Sequence, residues 1–356
     1  MAAVTEPQTT SLLSVDNIKK NVLPLFNIHG AVVVQIKVKN TDKQRSVYKV
    51  TYGNKNYCLK KVYYNLKDLL FIYSATEWFF RNNIKVPKML PSKDNKRYVL
   101  YKNMFFILTP WISGIKASYD DDSIVVKSAE NLGKMHRCSI NFFAIDGSNV
   151  KSNCNDLQRS MVKHFKSLLT FANKAFKSKD KFSKTYIDHL DEILSLSKTS
   201  TETGYKVNYK NLIVSLCHGD YVAKNLLIDD NDNLWVIDFD KTKVGYRVQD
   251  LTYAMRRYMR RTSTNWNMDK FLLFVETYEK ELPLNEDEYN YLLSYLAFPQ
   301  KLWRLARDYY NLTDKTLSGI FEADLIKCCE DLNAQTYFIE DLQLYINKKF
   351  KRRKSS

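Results

Sequence analysis

The stretch from Leu212 to Gly245, LIVSLCHGDYVAKNLLIDDNDNLWVIDFDKTKVG, constrains this chain more than any other. An apolar run, Leu212 to Leu216, leads into His218-Gly219-Asp220, and Asn225 follows five residues after Asp220. A second apolar run, Leu234 to Ile237, leads into Asp238-Phe239-Asp240. Between them, Asp229 to Asn233 is a run of turn formers. Leu226 to Ile228 and Leu234 to Ile237 therefore read as the two strands of a hairpin. A hairpin brings its ends together, which places Asp220 and Asn225 near Asp238 at the mouth of one cleft.

The residue types in that cleft suit one chemistry. An Asp on a loop can orient or deprotonate an attacking hydroxyl. An Asn and a second Asp are hard oxygen ligands that can hold Mg²⁺ against phosphates. Phosphoryl transfer needs little beyond positioning, metal and charge neutralisation. A competing reading exists, because VIDFDKT also fits hhhDxDxT, the nucleophile strand of haloacid-dehalogenase-type phosphatases. There Asp238 is the nucleophile and Asp240 the acid/base. That architecture needs a later parallel sheet carrying a Ser/Thr, a Lys and paired acids, and the sequence after Asp240 reads as helix instead.

HGDxxxxN followed by IDFD has the form of the aminoglycoside phosphotransferase and choline kinase branch of the protein-kinase-like fold. The longer wording HGDYVAKNLLI…WVIDFDKTKVGYRVQDLTYAMRR resembles the CotS family of spore coat proteins within that branch. The resemblance implies an α+β, two-lobed, kinase-like fold. A small antiparallel-sheet lobe with one key helix spans residues 1–112, a larger, mostly helical lobe spans 113–346, and a basic tail covers 347–356. It also implies ATP and Mg²⁺ as cofactors. Asp220 is then the catalytic base, and Asn225 and Asp238 are the metal ligands. Asp240 is a second metal or acceptor contact. His218 steadies the loop, and Asp250 braces it from below.

The 356 residues are enough for two cores. Lys+Arg 55 against Asp+Glu 39 gives a net charge of +16. Such a balance favours anionic partners, namely nucleotide, polyphosphate, an anionic polymer or an acidic protein surface. It disfavours a cationic acceptor, which needs a carboxylate-lined pocket, and nucleic acid is not among the expected partners. The six cysteines form no CxxC pair, so they read as reduced core residues of a protein made in the cytoplasm. The N-terminus lacks the basic and apolar regions of a signal peptide, and no run is long and apolar enough to span a membrane.

Taken in order, residues 1–10 read as mobile and Val15 to Leu25 as a short helix capped by Ser14 or Asp16. Ala31 to Val38 and Ser46 to Thr51 are strand-like. Between them, where a kinase-like fold carries a glycine-rich loop, there is only KNTDKQR, in a chain of 9 glycines. Backbone amides, Ser46 and Arg45 are left to cover the phosphates. Tyr57 to Val62 is the next strand, and Lys60 or Lys61 points into the cleft, because alternation puts Cys58 and Lys60 on one face and Leu59 and Lys61 on the other. The resemblance assigns Lys60 to the α/β-phosphates. It pairs Lys60 with Glu77 on a helix over Asn65 to Asn82. Arg97 to Tyr101 and Met104 to Ile112 are strands around the turn Lys102-Asn103. By position, Thr109 to Ser113, including Trp111, is the hinge whose backbone meets adenine, and Gly114 marks the lobe boundary.

Beyond Gly114 a helix runs to about Cys138, with His136 in a structural role. Gln158 to Ser197 reads as two amphipathic, Lys-rich helices, and Asp250 to Arg261 as a helix capped by Asp250. Asp269 to Ile346 reads as three or four more. Three functions follow as expectations. The first is an ATP- and Mg²⁺-dependent phosphotransferase acting on a hydroxyl of a small molecule or coat component. The second is a kinase-like scaffold for spore coat assembly, with other coat proteins as partners. The third is an aminoglycoside or choline-type kinase.

Overall fold

The structure is a computed structural model that describes residues 12–39, 45–312 and 318–354. The expected mobile N-terminus and most of the KNTDKQR loop lie outside the described residues. The chain divides into two compact units. One is drawn from residues 1–117, 138–152 and 218–244, the other from 118–137, 153–217 and 245–356. This differs from a single cut near residue 112, and strand pairing is the reason. The strand β6 (Ile115–Lys116) pairs with a later strand, Leu226–Ile228, and the Ala117 amide donates to the Leu226 carbonyl at 2.9 Å. Those bonds bring the HGD and DFD segments into the first unit.

The first unit is built on five strands: β1 (Val32–Lys39), β2 (Arg45–Tyr52), β3 (Lys55–Val62), β4 (Val99–Tyr101) and β5 (Met104–Pro110). Their order is β1-β2-β3-β5-β4, every pairing antiparallel. Strand alternation sends Tyr48 and Val50 of β2 to one face. There they pack with Ile18, Val22, Leu23 and Phe26 from the helical segment at residues 15–26. Ser14 caps that segment, accepting from the Asn17 amide at 3.3 Å. The β4–β5 turn has Lys102 and Asn103 at φ 48° and 60°, the left-handed pair that a two-residue hairpin loop requires.

Helix α1 (Leu66–Arg81) is capped by Asn65, which accepts from the Asp68 amide at 2.9 Å. Its buried positions Leu69, Ile72, Ala75, Thr76 and Phe79 form one stripe. Asp68 in the first turn also holds the segment 138–152, accepting from Asn149 Nδ2 at 2.8 Å. Trp78 reaches the same segment, its indole N–H donating to the Cys138 carbonyl at 2.8 Å. The expected hairpin forms from β7 (Leu226–Ile228) and β8 (Leu234–Val236). Asp229 closes it, accepting from the Trp235 indole at 2.8 Å and from the Asn231 and Asn233 amides. The Trp235 bond foremost, with the amides, draws the Asp229 carboxyl down to about 2.

The second unit is helical. It comprises α2 (Asp122–Cys138), α3 (Leu157–Phe176), α4 (Lys181–Asp188), α5 (Leu190–Tyr205), α6 (Arg247–Met259), α7 (Met268–Glu281), α8 (Glu286–Ala297), α9 (Gln300–Tyr310), α10 (Ser318–Glu330) and α11 (Leu332–Lys354). The region read as two helices is thus three. The chain breaks at residues 177–180, where Asp180 caps α4 by accepting from Ser183, and again at His189. Among the described residues the last region holds five helices, and α11 continues into the basic tail. Asp250 lies in the first turn of α6 and does not cap it, because Arg247–Gln249 are already helical. Helices α5 and α8 approach closely through Ser200 and Ser294, whose hydroxyls each donate to the other's carbonyl at 2.7 Å. The six cysteines are free; Cys217, Cys328 and Cys329 are buried, whereas Cys154 is exposed and not a core residue. Among the described residues no helix is long and apolar enough to cross a membrane.

Candidate functional site

A cavity of about 590 Å³ lies within the first unit, in the size range of small-molecule sites. Its apolar walls include Ile72 and Thr76 of α1, Ile107 of β5, Leu227 of β7 and Phe239. Its polar lining includes Arg45, Lys60, Lys116, Asn225, Asp238 and Asp240. Alternation along β3 produces this placement: Cys58 and Lys60 line the cavity, while Leu59 and Lys61 are buried outside its lining. The same rule separates Arg45 and Val47, which line the cavity, from Ser46, which is buried on the face of Tyr48. Ser46 therefore does not face the cavity, whereas Arg45 does.

The Lys60 ammonium meets Asp240 at 2.7 Å and Asp238 at 3.1 Å. Arg45 adds a second cation to Asp240 at 3.2 Å and stacks over the Tyr63 ring. The expected Lys60–Glu77 pair is absent. Glu77 instead takes Arg81, one helical turn on, at 2.9 Å. Two carboxylates hold one ammonium more strongly than a single Glu does, and Arg81 is a local partner at (i, i+4) spacing. Burial lowers the Lys60 pKa, but the charges of Asp240 and Asp238 outweigh it and hold the group above its ordinary value. Burial likewise pushes Asp238 up, and the Lys60 charge and hydrogen bond more than reverse this, leaving its carboxyl below the usual range.

The backbone at Asp238 sits at φ 68°, a left-handed conformation that non-glycine residues rarely adopt. Immediately before it, the Ile237 amide donates to the Asn225 carbonyl at 3.0 Å. The Asn225 side chain donates in turn to the Asp220 carbonyl at 2.9 Å. The two ends of the hairpin are thereby tied, and Asn225, Asp220 and Asp238 belong to one loop cluster. His218 is buried inside it. Its Nε2 lies 3.1 Å from the Ile237 carbonyl, and its Nδ1 accepts from the Asp220 amide at 3.2 Å. Gly219 has φ 77°, and a Cβ there would overlap the Lys241 carbonyl. Gly114 is equally constrained, since a Cβ would overlap the Ile228 carbonyl.

Sequence reasoning missed two lysines. Lys241 and Lys224 reach Asp220 Oδ2 at 3.1 and 3.4 Å. Their positions, one after Asp240 and one before Asn225, carried the only available signal. At the hinge, Thr109 and Trp111 line the cavity, but the Trp111 amide already donates to the Asn56 carbonyl at 3.0 Å and Pro110 has no N–H. Trp111 therefore offers its ring, beside Lys49 at 5.3 Å, and not its amide. Asp250 is buried in the second unit, with its Oδ2 3.5 Å from His136 Nε2. His136 Nδ1 lies 2.8 Å from the Tyr278 hydroxyl, and burial lowers the His136 pKa, as suits a neutral structural histidine.

The chain is 21% identical over 311 residues to spore coat protein S of Bacillus subtilis, covering 85% of this chain and 87% of that one. An aminoglycoside phosphotransferase structure from Alicyclobacillus acidocaldarius superposes with a TM-score of 0.77 at 16% identity, over 98% of each chain. Amicoumacin kinase hAmiN, solved with AMP-PNP, Ca²⁺ and its antibiotic, superposes with a TM-score of 0.62 at 11% identity, over 92% of this chain and 96% of that one. These likenesses give the fold: a kinase-like α+β architecture with an antiparallel sheet and a helical unit. The model of the phosphotransferase enzyme family matches residues 40–284, from β2 to the end of α7, and the chain belongs to that family.

Proposed function

We propose that this protein is an ATP- and Mg²⁺-dependent phosphotransferase that acts on a hydroxyl of a small molecule or of a spore coat component. The observation that carries the reading is the meeting of Lys60, Asn225, Asp238 and Asp240 in one cavity of the first unit. The donor set suits a hard divalent cation: two carboxylates and an amide oxygen, while burial pushes the Cys58 thiol in the lining up, away from the thiolate. Asp238 and Asn225 would hold the metal, with Asp240 as a further oxygen. When bound, the metal draws charge from the phosphate oxygens.

The chain's own residues do the rest. Lys60 and Arg45 are cations set to receive phosphate oxygens in place of the carboxylates they now meet. Arg45 takes the part that a glycine-rich loop plays elsewhere. Asp220 orients the acceptor hydroxyl and accepts its proton. Lys241 and Lys224 place positive charge beside that carboxylate and the acceptor, which disfavours a cationic aminoglycoside. Glu77 is a support residue of α1, engaged with Arg81. The likeness to a spore coat protein supports a place in the coat, with other coat proteins as partners.

Calorimetry of ATP binding with and without Mg²⁺, on the wild type and on Asp238→Ala, tests the proposal. Metal-dependent binding that Asp238→Ala loses is the expected result. Absence of metal-dependent binding in the wild type removes the enzyme and leaves a coat scaffold.

A further inference from the structure

The cations and the carboxylates of the large cavity hold each other. The Lys60 ammonium bridges Asp240 Oδ1 at 2.7 Å and Asp238 Oδ1 at 3.1 Å, and Arg45 closes on Asp240 Oδ2 at 3.2 Å. The Asp240 side chain is 5% exposed and that of Lys60 17%, so this network is largely shut off from water. Asp238 is its open end, at 40%. A third cation of the lining, Lys116, stands on β6.

The backbone fixes both halves of the network. Lys60 lies in the middle of β3, opposite Val47 of β2 on one side and Ile107 of β5 on the other. The two carboxylates follow β8, where the Ile237 amide is tied to the Asn225 carbonyl, and Asp240 sits in a single helical turn, Phe239–Lys241. Helix α1 supplies no substitute, because its residues in the lining are Ile72 and Thr76, while Glu77 is engaged with Arg81. Giving the carboxylates to a divalent cation alone therefore strands Lys60 and Arg45 beside further positive charge. Giving the two cations to a nucleotide alone strands the carboxylates beside phosphate oxygens. Breaking a buried ion pair is costly when the second charge stays behind, and like charges brought together repel. When metal and nucleotide arrive together, every group exchanges one opposite charge for another.

We propose that this network is an interlock: the cavity takes a divalent cation and a nucleotide together and admits each alone only weakly. The proposal rests on the phosphotransferase reading of the cavity and adds how its occupancy is controlled. Its distinctive consequence is a gain of affinity in variants. Removing a paired cation frees the carboxylates for metal, and removing a paired carboxylate frees the cations for nucleotide.

The test uses the full chain at constant ionic strength. Mn²⁺ alone is titrated and read by electron paramagnetic resonance, and ATP in excess EDTA is titrated by calorimetry. Lys60→Met should bind Mn²⁺ about tenfold more tightly than the wild type. Lys116→Met removes a cation from the same lining without removing a partner of the carboxylates, and should change Mn²⁺ affinity by less than about twofold. Asp240→Asn should bind metal-free ATP about tenfold more tightly than the wild type. Lys60→Met with unchanged, weaker or no Mn²⁺ binding overturns the proposal. So does an equal gain in Lys116→Met, which would reduce the effect to general charge, or no gain for ATP in Asp240→Asn. If Lys60→Met does not fold, Arg45→Gln makes the same comparison against Lys116→Met. The Mn²⁺ comparison uses neither nucleotide nor turnover, so it decides the interlock even where absent metal-dependent ATP binding removes the phosphotransferase.

Discussion

At Gly219 the demands of backbone and packing coincide. The residue is left-handed, and a side chain would meet the Lys241 carbonyl. Gly219→Ala should therefore lose about 1–2 kcal/mol from backbone conformation alone, and more from the overlap. Denaturant unfolding measures this, and an unchanged midpoint would contradict it. The Lys60–Asp238 pair makes a prediction in pH. Asp238 is depressed in the folded state, so its contribution is present above the unfolded value, about 4, and is lost as pH falls through the folded value. Lys60 is raised, so its contribution is complete below its unfolded value and is lost as pH climbs through the folded one. Lys60→Met should flatten both limbs of the stability–pH profile. A profile with the same acid limb as the wild type would show that the pair adds nothing. The same residues mark how far the sequence could be read. Alternation left Lys60 and Lys61 on opposite faces and the resemblance chose Lys60 for the cavity, but no spacing rule could say that two carboxylates would take it from Glu77.

Among the elements, the junction of α6, α7 and α8 shows a larger energy. Arg247 and Glu288 are both 0% exposed and bind through a fork, with Nε to Oε1 and Nη2 to Oε2 each at 2.6 Å. Arg247 also donates to the Leu282 and Pro283 carbonyls after α7. Glu288 completes a capping box with Asn285 at the start of α8. Removing one partner leaves the other charge buried and alone. Glu288→Ala should cost about 3–5 kcal/mol, and replacing both partners with apolar residues should cost less. A chemical-denaturation double-mutant cycle measures the coupling.

This junction also explains what the sequence concealed. The hairpin of β7 and β8 was legible because Asp229 to Asn233 are strong turn formers, and α1 because Asn65 and Asp68 mark its start. The start of α6 was not, since no side chain caps it and Arg247 is held by a tertiary ion pair. The break between α4 and α5 was hidden for a similar reason. It falls at His189, with no glycine or proline to announce it.

For the molecule as a whole, a charge of +16 at pH 7 acts at long range. Association with an anionic polymer such as polyglutamate should be strong at low salt. It should fade as ionic strength passes about 0.1 M, where the screening length falls to about 10 Å. Light scattering against salt concentration measures it, and salt-independent association would point to specific contacts.

The interleaved composition of the first unit has a further consequence in time. Synthesis delivers its sheet by residue 117, but the segment 218–244, with Asn225, Asp238 and Asp240, comes later. At about 5–20 residues per second the ribosome needs roughly 5–20 s to make residues 118–217. During that interval Lys60 and Arg45 stand on a nascent sheet without their acidic partners. Most of the helices of the second unit are then still to be made, so the nascent chain can complete its cavity only after β7 and β8 have emerged and joined β6.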